Sequence, residues 1–189
     1  MREGRPVFVT LVGSLQRGSS SRAVANTLDE LAPDHVQVET LPSVGRLPPY
    51  CVGILRFGIP ATLAAMSAAI MAADAVVIVT PEYRRSIPGS LKNALDWLAN
   101  LPDPAFRGKP VAIQTLSPGM SGGLRAHDHL RQTLASMGAM VIHRPQIIIP
   151  FVTGKIDLQA NCLRDAETRC AITCQLEALA QLSRDGRGE

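Results

Sequence analysis

The residues best equipped for chemistry fall in three short turns. The first follows the apolar run Val7 to Val12 and reads Gly13-Ser14-Leu15-Gln16-Arg17-Gly18-Ser19-Ser20-Ser21, with Arg22 next. Hydroxyls, an amide and guanidinium groups here surround a helix start. Backbone N–H groups at such a start lack intrahelical partners and carry partial positive charge. That combination seats a phosphate, although a plain serine N-cap accounts for part of the same pattern. Longer phosphate grips do not match. No Gly-Lys-Ser/Thr closes the turn, and Gly13 with Gly18 does not make Gly-x-Gly-x-x-Gly. The expected ligand therefore carries a single phosphate.

The second turn, Pro81 to Gly89, reads PEYRRSIPG. Its prolines stiffen it and Gly89 leaves room for close approach. Tyr83 can flank a planar ligand or sit as an ordinary half-buried tyrosine. Arg84 and Arg85 match the oxygens of an anionic substrate or a nucleotide phosphate, or form a solvated surface pair. The third turn, Ser117 to Gly123, reads SPGMSGG. Bare backbone of this kind can lie against a flat ring, or be a flexible loop. Arg125 lies just beyond and is expected to face the same pocket.

No nucleophile stands beside a base. Ser14 and Ser19 to Ser21 have no neighbouring histidine, which argues against a hydrolase. His127 and His129 flank Asp128 in a helical stretch and point to different faces, which argues against a metal pair. A phosphate seat beside a flat slot, with no catalytic side chain, is the pattern of a flavin enzyme, where the cofactor supplies the reactivity.

Alternating strands and helices are needed to bring these turns together, and the sequence supplies them. Val7–Val12 reads as a buried strand, and helical spacing begins at Ala23 with Val24, Leu28 and Leu31 on one face. His35–Leu41 alternates as a strand. Pro42–Pro60 is a long loop rich in proline and glycine, of the kind that is often functional. Ala61–Ala73 reads as a helix. Asp74–Thr80 is continuously apolar, as a central parallel strand should be. Ser90–Leu101 is a helix with Leu91, Leu95 and Leu98 inward and Trp97 at the edge of that face. Lys109–Leu116 is a strand and Leu124–Met137 a helix. Met140–His143 and Gln146–Ile149 form a last strand interrupted by Pro145. Phe151–Gln159 reads as a loop, Leu163–Leu182 as a closing amphipathic helix, and Arg184–Glu189 as a frayed tail. This is an α/β pattern with right-handed crossovers, which predicts a doubly wound parallel sheet with helices on both faces. Ligands bind outside the carboxyl ends of such strands, so the three turns are expected to meet there.

The chain has 189 residues, 46% of them hydrophobic, which suits one domain (1–183) with a real core. A net charge of +3 is too mild for a nucleic-acid binder. No stretch of eighteen apolar residues predicts a membrane span. The N-terminus enters a strand without a signal-peptide pattern, so a cytoplasmic protein is expected. Cys51, Cys162, Cys170 and Cys174 are expected as free thiols. Cys170 and Cys174 share a helix face and are expected to be buried small side chains rather than a metal pair.

These motifs together resemble the NADPH-dependent FMN reductase family, with its flavodoxin-like fold, and within it the bacterial chromate and quinone reductases. The resemblance runs from Val9 to Ile149. Its most specific piece is TPEYRRSIPGSLKNALDWL at Thr80–Leu98; GSLQRGSSSR at Gly13–Arg22 and SPGMSGGLRAHDHLRQTL at Ser117–Leu134 agree with it. It implies a five-stranded parallel sheet in the order 2-1-3-4-5. It implies FMN as cofactor, NADH or NADPH as co-substrate, and a homodimer or homotetramer. By the same resemblance the Gly13–Ser21 turn holds the FMN phosphate through Ser14, Gln16, Ser19, Ser20 and Ser21. Pro81, Glu82, Tyr83, Arg84 and Arg85 line the isoalloxazine, and Ser117, Pro118 and Gly119 contact its far edge. Glu82, Arg84, Arg85 and Arg125 meet the substrate. The implied reaction passes hydride from nicotinamide to flavin N5, then on to a quinone, chromate, an azo compound or free flavin.

Three positions depart from the family pattern. Gln16 replaces a usual arginine and Ser21 a usual asparagine, both at the phosphate. Arg84 replaces a usual asparagine beside the ring. The first change predicts weaker FMN binding, because a charged hydrogen bond is the stronger one, unless Arg17 or Arg22 compensates. The third predicts either a raised flavin potential or an obstructed site. The loop after Tyr50 also lacks the acidic residues that relatives often carry. The alternatives are a flavodoxin-like electron carrier and a flavin-free binding protein of the same descent. Carriers are usually acidic and stack aromatics on the ring, whereas this chain is basic with 4% aromatics.

Overall fold

The computed structural model describes residues 5–186. Strand β1 (Val7–Val12) lies between β2 (Gln37–Thr40) and β3 (Ala75–Pro81), and β4 (Pro110–Leu116) lies beyond β3. All these pairings are parallel. The outer edge is a strand in two pieces, β5 (Met140–Val141) and β6 (Ile147–Ile149), both parallel to β4. The order is thus β2-β1-β3-β4-β5 with β6 also on β4, the flavodoxin-like arrangement. Pro145 falls in the break, where it has no N–H to give a ladder.

A side chain closes that break. Gln175 donates from Nε2 to the carbonyls of Ile113 (3.2 Å) and Pro145 (2.9 Å), and its Oε1 accepts from Gln114 Nε2 at 3.1 Å. Gln175 is 1% exposed; its bonds to Ile113 and Gln114 form away from water and that to Pro145 at the partly buried edge. It belongs to α5 (Ala166–Asp185), which covers one sheet face with α1 (Ser20–Leu31). Helices α2 (Ala61–Ala72), α3 (Gly89–Ala99) and α4 (Leu124–Ser136) cover the other. Strand β1 feeds both layers: Val9 and Leu11 pack under α2–α4, Phe8 and Val12 under α1 and α5. Burying each such side chain contributes about 1.5–3 kcal/mol, which is why the strand is apolar almost throughout rather than alternating.

Several boundaries differ from the sequence reading. Helix α1 starts at Ser20, not Ala23, because Ser19 caps it: its Oγ accepts the Arg22 N–H at 3.2 Å. Apolar spacing cannot mark a polar first turn. The Phe151–Gln159 segment is not a plain loop. It holds a short 3-10 turn (Val152–Lys155) and β7 (Ile156–Asp157), which pairs with β8 (Cys162–Leu163). Strands of two residues are too short to show a period. This hairpin docks on α1, where the Leu163 N–H reaches Thr27 Oγ1 at 3.0 Å. Asp165 caps α5 by accepting the Thr168 N–H at 3.0 Å. Hydrogen bonds from Lys155 and Thr168 hold its carboxyl down to about 2. Cys170 and Cys174 are exposed, contrary to expectation. The inward face of α5 is Ile172, Gln175, Leu176 and Leu179, and residues four apart flanking Ile172 point away from it. Trp97 is fully buried, edge-on to Tyr50, with its Nε1–H on the Pro48 carbonyl at 2.8 Å. The tail residues Arg184 and Asp185 are still helical, and residues 187–189 lie outside the described residues. No helix among the described residues is long and apolar enough to cross a membrane.

Candidate functional site

Parallel register brings the ends of β1, β3 and β4 side by side, with Val12 opposite Val79 and Pro81 opposite Leu116. Backbone bonds continue past the strand ends: Gly13 N–H to Val79 O at 2.9 Å and Glu82 N–H to Leu116 O at 3.2 Å. The three turns singled out from the sequence therefore leave the same edge of the sheet. Gly13 is what lets the first two approach. A Cβ there would lie 2.3 Å from Thr80 Oγ1.

The first turn is built by its own hydroxyls. Ser14 Oγ accepts the Gln16 N–H at 3.3 Å, and the Ser19 N–H closes a β-turn on Gln16 O at 3.3 Å. Gly18, at φ +67°, takes the third position of that turn, where a left-handed residue is needed. Because Ser14 and Ser19 serve here as acceptors, each keeps a hydroxyl proton to donate. The first helical bond runs from Ala23 N–H to Ser19 O at 3.0 Å, so the amides of Ser20 and Ser21 lie ahead of the ladder. Gln16 and Arg17 are exposed, and Ser19, Ser20 and Arg22 half-exposed. Among the described residues neither arginine pairs with a carboxylate. Ser21 is different: its hydroxyl is buried without a partner, so only its backbone can serve a ligand. Uncommitted N–H and O–H donors, nearby guanidinium groups and no acid in the turn fit a phosphate monoester. Leu15 reaches back over Gly45, whose Cβ position is 2.7 Å from Leu15 Cδ2, so the Pro42–Pro60 loop abuts this turn.

The second turn is a tight hairpin. Tyr83 and Ser86 exchange backbone bonds of 2.8 and 3.0 Å. Arg84 (φ 47°) and Arg85 (φ 66°) are the central pair, the signature of a type I′ turn. Asn-Gly occupies such a pair most readily; a residue with a long side chain there costs about 1–2 kcal/mol. Both arginines are exposed, and so is Tyr83, at 49%. Glu82 turns toward α4. Its Oε2 accepts the N–H groups of Arg125 (3.1 Å) and Ala126 (3.4 Å), and the Arg125 guanidinium lies 3.7 Å from Oε1. It caps a helix whose own N-cap, Gly123, has no side chain to do so. Glu82 and Arg125 thus tie the second turn to the third, and the Glu82 carboxylate is committed to that tie.

In the third turn only one glycine is open. A Cβ on Gly122 would meet Ile148 Cγ2 at 2.7 Å and one on Gly123 would meet Thr115 Cβ at 2.9 Å, so both are there for packing. Gly119 has nothing nearer than Ser117 Oγ at 4.0 Å. The Ser117 hydroxyl donates to the Gly119 carbonyl at 3.1 Å, which fixes the Ser117–Gly119 arc. Phe151 escaped the sequence reading. It is 57% exposed, sits at φ 51°, and its N–H reaches Gly119 O at 3.2 Å. No spacing signal marks a single aromatic after a strand.

Behind the turns, His127 is buried while His129 is exposed and within 3.0 Å of Ser86 Oγ. Burial first, and the Arg131 charge second, push the His127 imidazole down to about 4, against a small opposing effect of Asp128.

A doubly wound parallel sheet with a donor-rich turn after β1, and two further turns leaving the same sheet edge after β3 and β4, is the architecture of a flavodoxin-like flavoprotein. The chain belongs to the NADPH-dependent FMN reductase family, whose model matches residues 7–154. It is 45% identical over 174 residues to the quinone reductase of Escherichia coli strain K12, covering 92% of this chain and 93% of that one. It is 35% identical over 182 residues to a 2-hydroxy-1,4-benzoquinone reductase of a Burkholderia species, covering 95% and 97%. Among solved structures it is similar to FerB, a flavoenzyme NAD(P)H:(acceptor) oxidoreductase of Paracoccus denitrificans, with TM-score 0.85 at 27% identity, over 96% of this chain and 98% of that one.

Proposed function

We propose that this chain is an FMN-dependent NAD(P)H oxidoreductase that reduces quinones. The observation that carries the reading is the meeting of three turns at one sheet edge, with uncommitted donors at the start of α1. When bound, FMN supplies the redox chemistry, taking two electrons from reduced nicotinamide and giving them to the acceptor. The chain's own residues bind and orient. Ser14, Gln16, Ser19, Ser20 and the amides up to Ser21 would hold the phosphate. The backbone from Pro81 to Arg85 and the arc Ser117-Pro118-Gly119 would flank the ring, and Glu82 with Arg125 keeps those two turns at fixed spacing. Arg84 and Arg85 would meet anionic groups of the substrate.

The finer reading adds chromate, azo compounds and free flavin as further acceptors, a cytoplasmic location, and a homodimer or homotetramer. Four free thiols suit a reducing compartment. Helix α2 carries no charged residue, yet Ala64, Ala65, Ala68 and Met71 face outward, which favours a covered surface. The test is direct. The purified protein should show flavin absorbance and oxidise NADH or NADPH when 2-methyl-1,4-naphthoquinone is added. A colourless protein that ignores added FMN would overturn the reading in favour of a flavin-free relative. Strict one-electron exchange without nicotinamide oxidation would favour an electron carrier.

A further inference from the structure

Two cations stand at the second turn without a counter-charge. Among the described residues no carboxylate lies within ion-pair distance of Arg84 or Arg85. The acid next in sequence, Glu82, is spent on the start of α4 and on Arg125. The turn is also short and closed at both ends by the Tyr83–Ser86 bonds, so the two Cα positions are fixed. Both arginines are held at positive φ, where Asn-Gly would sit without strain. A strained backbone that displays two exposed, unpaired guanidinium groups at the sheet edge where the three turns meet is a feature with a ligand-side consequence. Guanidinium forks bind oxyanions in two-point contacts, and they are weakly hydrated, so desolvating them toward a ligand costs less than for ammonium.

We propose that the Arg84–Arg85 turn selects acceptors carrying negative charge, so that ring-ionised hydroxyquinones are taken ahead of neutral quinones of the same size. This rests on the reading of the site as an NAD(P)H:quinone oxidoreductase. The reaction balances without a further reagent. NAD(P)H delivers two electrons and one proton, solvent delivers the second proton, and both ring carbonyls become hydroxyls. The ionised ring oxygen keeps its bond to carbon and stays with the guanidinium groups throughout.

The test uses the FMN-loaded enzyme with 2-hydroxy-1,4-naphthoquinone, ionised at neutral pH, against 1,4-naphthoquinone. The informative variant is Arg84→Asn with Arg85→Gly, which removes both charges and installs the turn's preferred residues, so folding is not at risk. A second variant, Arg84→Lys with Arg85→Lys, keeps the charges. The ratio of kcat/KM for the ionised to the neutral quinone should fall about tenfold or more in the neutral variant. It should stay within about threefold of the original in the lysine variant, and fall with added salt in the unmodified enzyme. A second readout needs no turnover. Titrating the oxidised enzyme without nicotinamide, followed by flavin absorbance, should show the Kd of the ionised quinone rising about tenfold in the neutral variant. An unchanged ratio together with an unchanged Kd overturns the proposal. So does a collapse of the NADPH-to-NADH preference with the acceptor ratio intact, because the arginines would then read the nucleotide. If no form reduces either quinone, it is the oxidoreductase reading that fails, and the titration still decides whether the turn holds an anion.

Discussion

His127 ties the stability of the fold to pH. The imidazole is 1% exposed on the inner side of α4. Its Nε2 lies 3.2 Å from an Arg131 guanidinium nitrogen, which can only donate, so Nε2 is the acceptor and the ring is neutral. Its Nδ1 is buried without a partner. Protonation would place a second cation against Arg131 inside the protein, which is why the pKa falls from the ordinary 6.5 to about 4. The unfolded chain therefore binds a proton that the folded one refuses between those values. This contribution to stability is complete above the unfolded pKa and is withdrawn as pH falls toward 4. The full shift corresponds to about 3 kcal/mol, and roughly 1 kcal/mol of it is lost between pH 7 and 5.5. With an m-value of about 2 kcal/mol per molar, the urea midpoint should drop by about half a molar over that interval.

The comparison that isolates the effect is His127→Gln. Its amide oxygen can take the Arg131 donor and it does not titrate. The other three histidines, His35, His129 and His143, are exposed and remain in both proteins. The variant should lose part of its stability at neutral pH yet show a flatter midpoint-against-pH curve between 7 and 5. An equal slope in both proteins would refute the reasoning, as would an NMR titration placing His127 near 6.5.

Restoring charge at the phosphate by Gln16→Arg should tighten FMN binding about tenfold, read by fluorescence titration of the apoprotein; no gain means that residue 16 does not face the phosphate. Arg84→Asn should lower the flavin midpoint potential, measured by equilibration with a reference dye, and raise Tm by about 2–4 °C through relief of about 1 kcal/mol of backbone strain. Gln175→Leu should destabilise by about 2–4 kcal/mol in urea unfolding, since it leaves Ile113 O and Gln114 Nε2 unpaired and buried and Pro145 O unpaired at the partly buried edge; a change below about 0.5 kcal/mol would mean that water or a shift in the edge strand replaces the amide.

How much of this was legible in the sequence depends on the range of the interactions concerned. The βα order, the broken last strand at Pro145 and the gathering of the three turns follow from local patterns. A buried strand needs continuous apolar residues, and parallel register then places consecutive turns at one edge. Apolar spacing marks the start of α1 late because its cap and first three residues, Ser19, Ser20, Ser21 and Arg22, are all polar. The commitment of Glu82 to α4 was not legible, because it joins residues 43 and 44 positions apart. Gln175 escaped for the same reason: a polar residue on a mostly apolar helix face gives no hint that a gap between two strands awaits it. The third turn misled in a different way. Its glycines read as bare surface for a ligand, yet Gly122 and Gly123 answer close packing on β6 and β4 that only coordinates reveal.

On the proposed reading, the departures from the family pattern would act at opposite ends of one site, with linked signs. Gln16, where the resemblance implies arginine, would withdraw a positive charge from the phosphate end. Arg84, where it implies asparagine, would add one at the ring end, with Arg85 beside it. The first turn would tolerate the loss because much of its grip would be backbone: the amides ahead of α1 and the Gln16–Ser19 turn do not depend on which side chain stands at 16. The second turn accepts the gain only with left-handed strain, and that strain makes sense if the charge acts on something other than the cofactor phosphate. On that reading, positive potential would be shifted from holding the cofactor toward meeting what approaches its ring. The two substitutions should then act separately: reversing Gln16 should alter FMN affinity with little effect on the discrimination between ionised and neutral quinones. Reversing Arg84 and Arg85 should alter that discrimination more than FMN affinity. A strong coupling between the two in a double-mutant cycle would mean that both charges act on the same group.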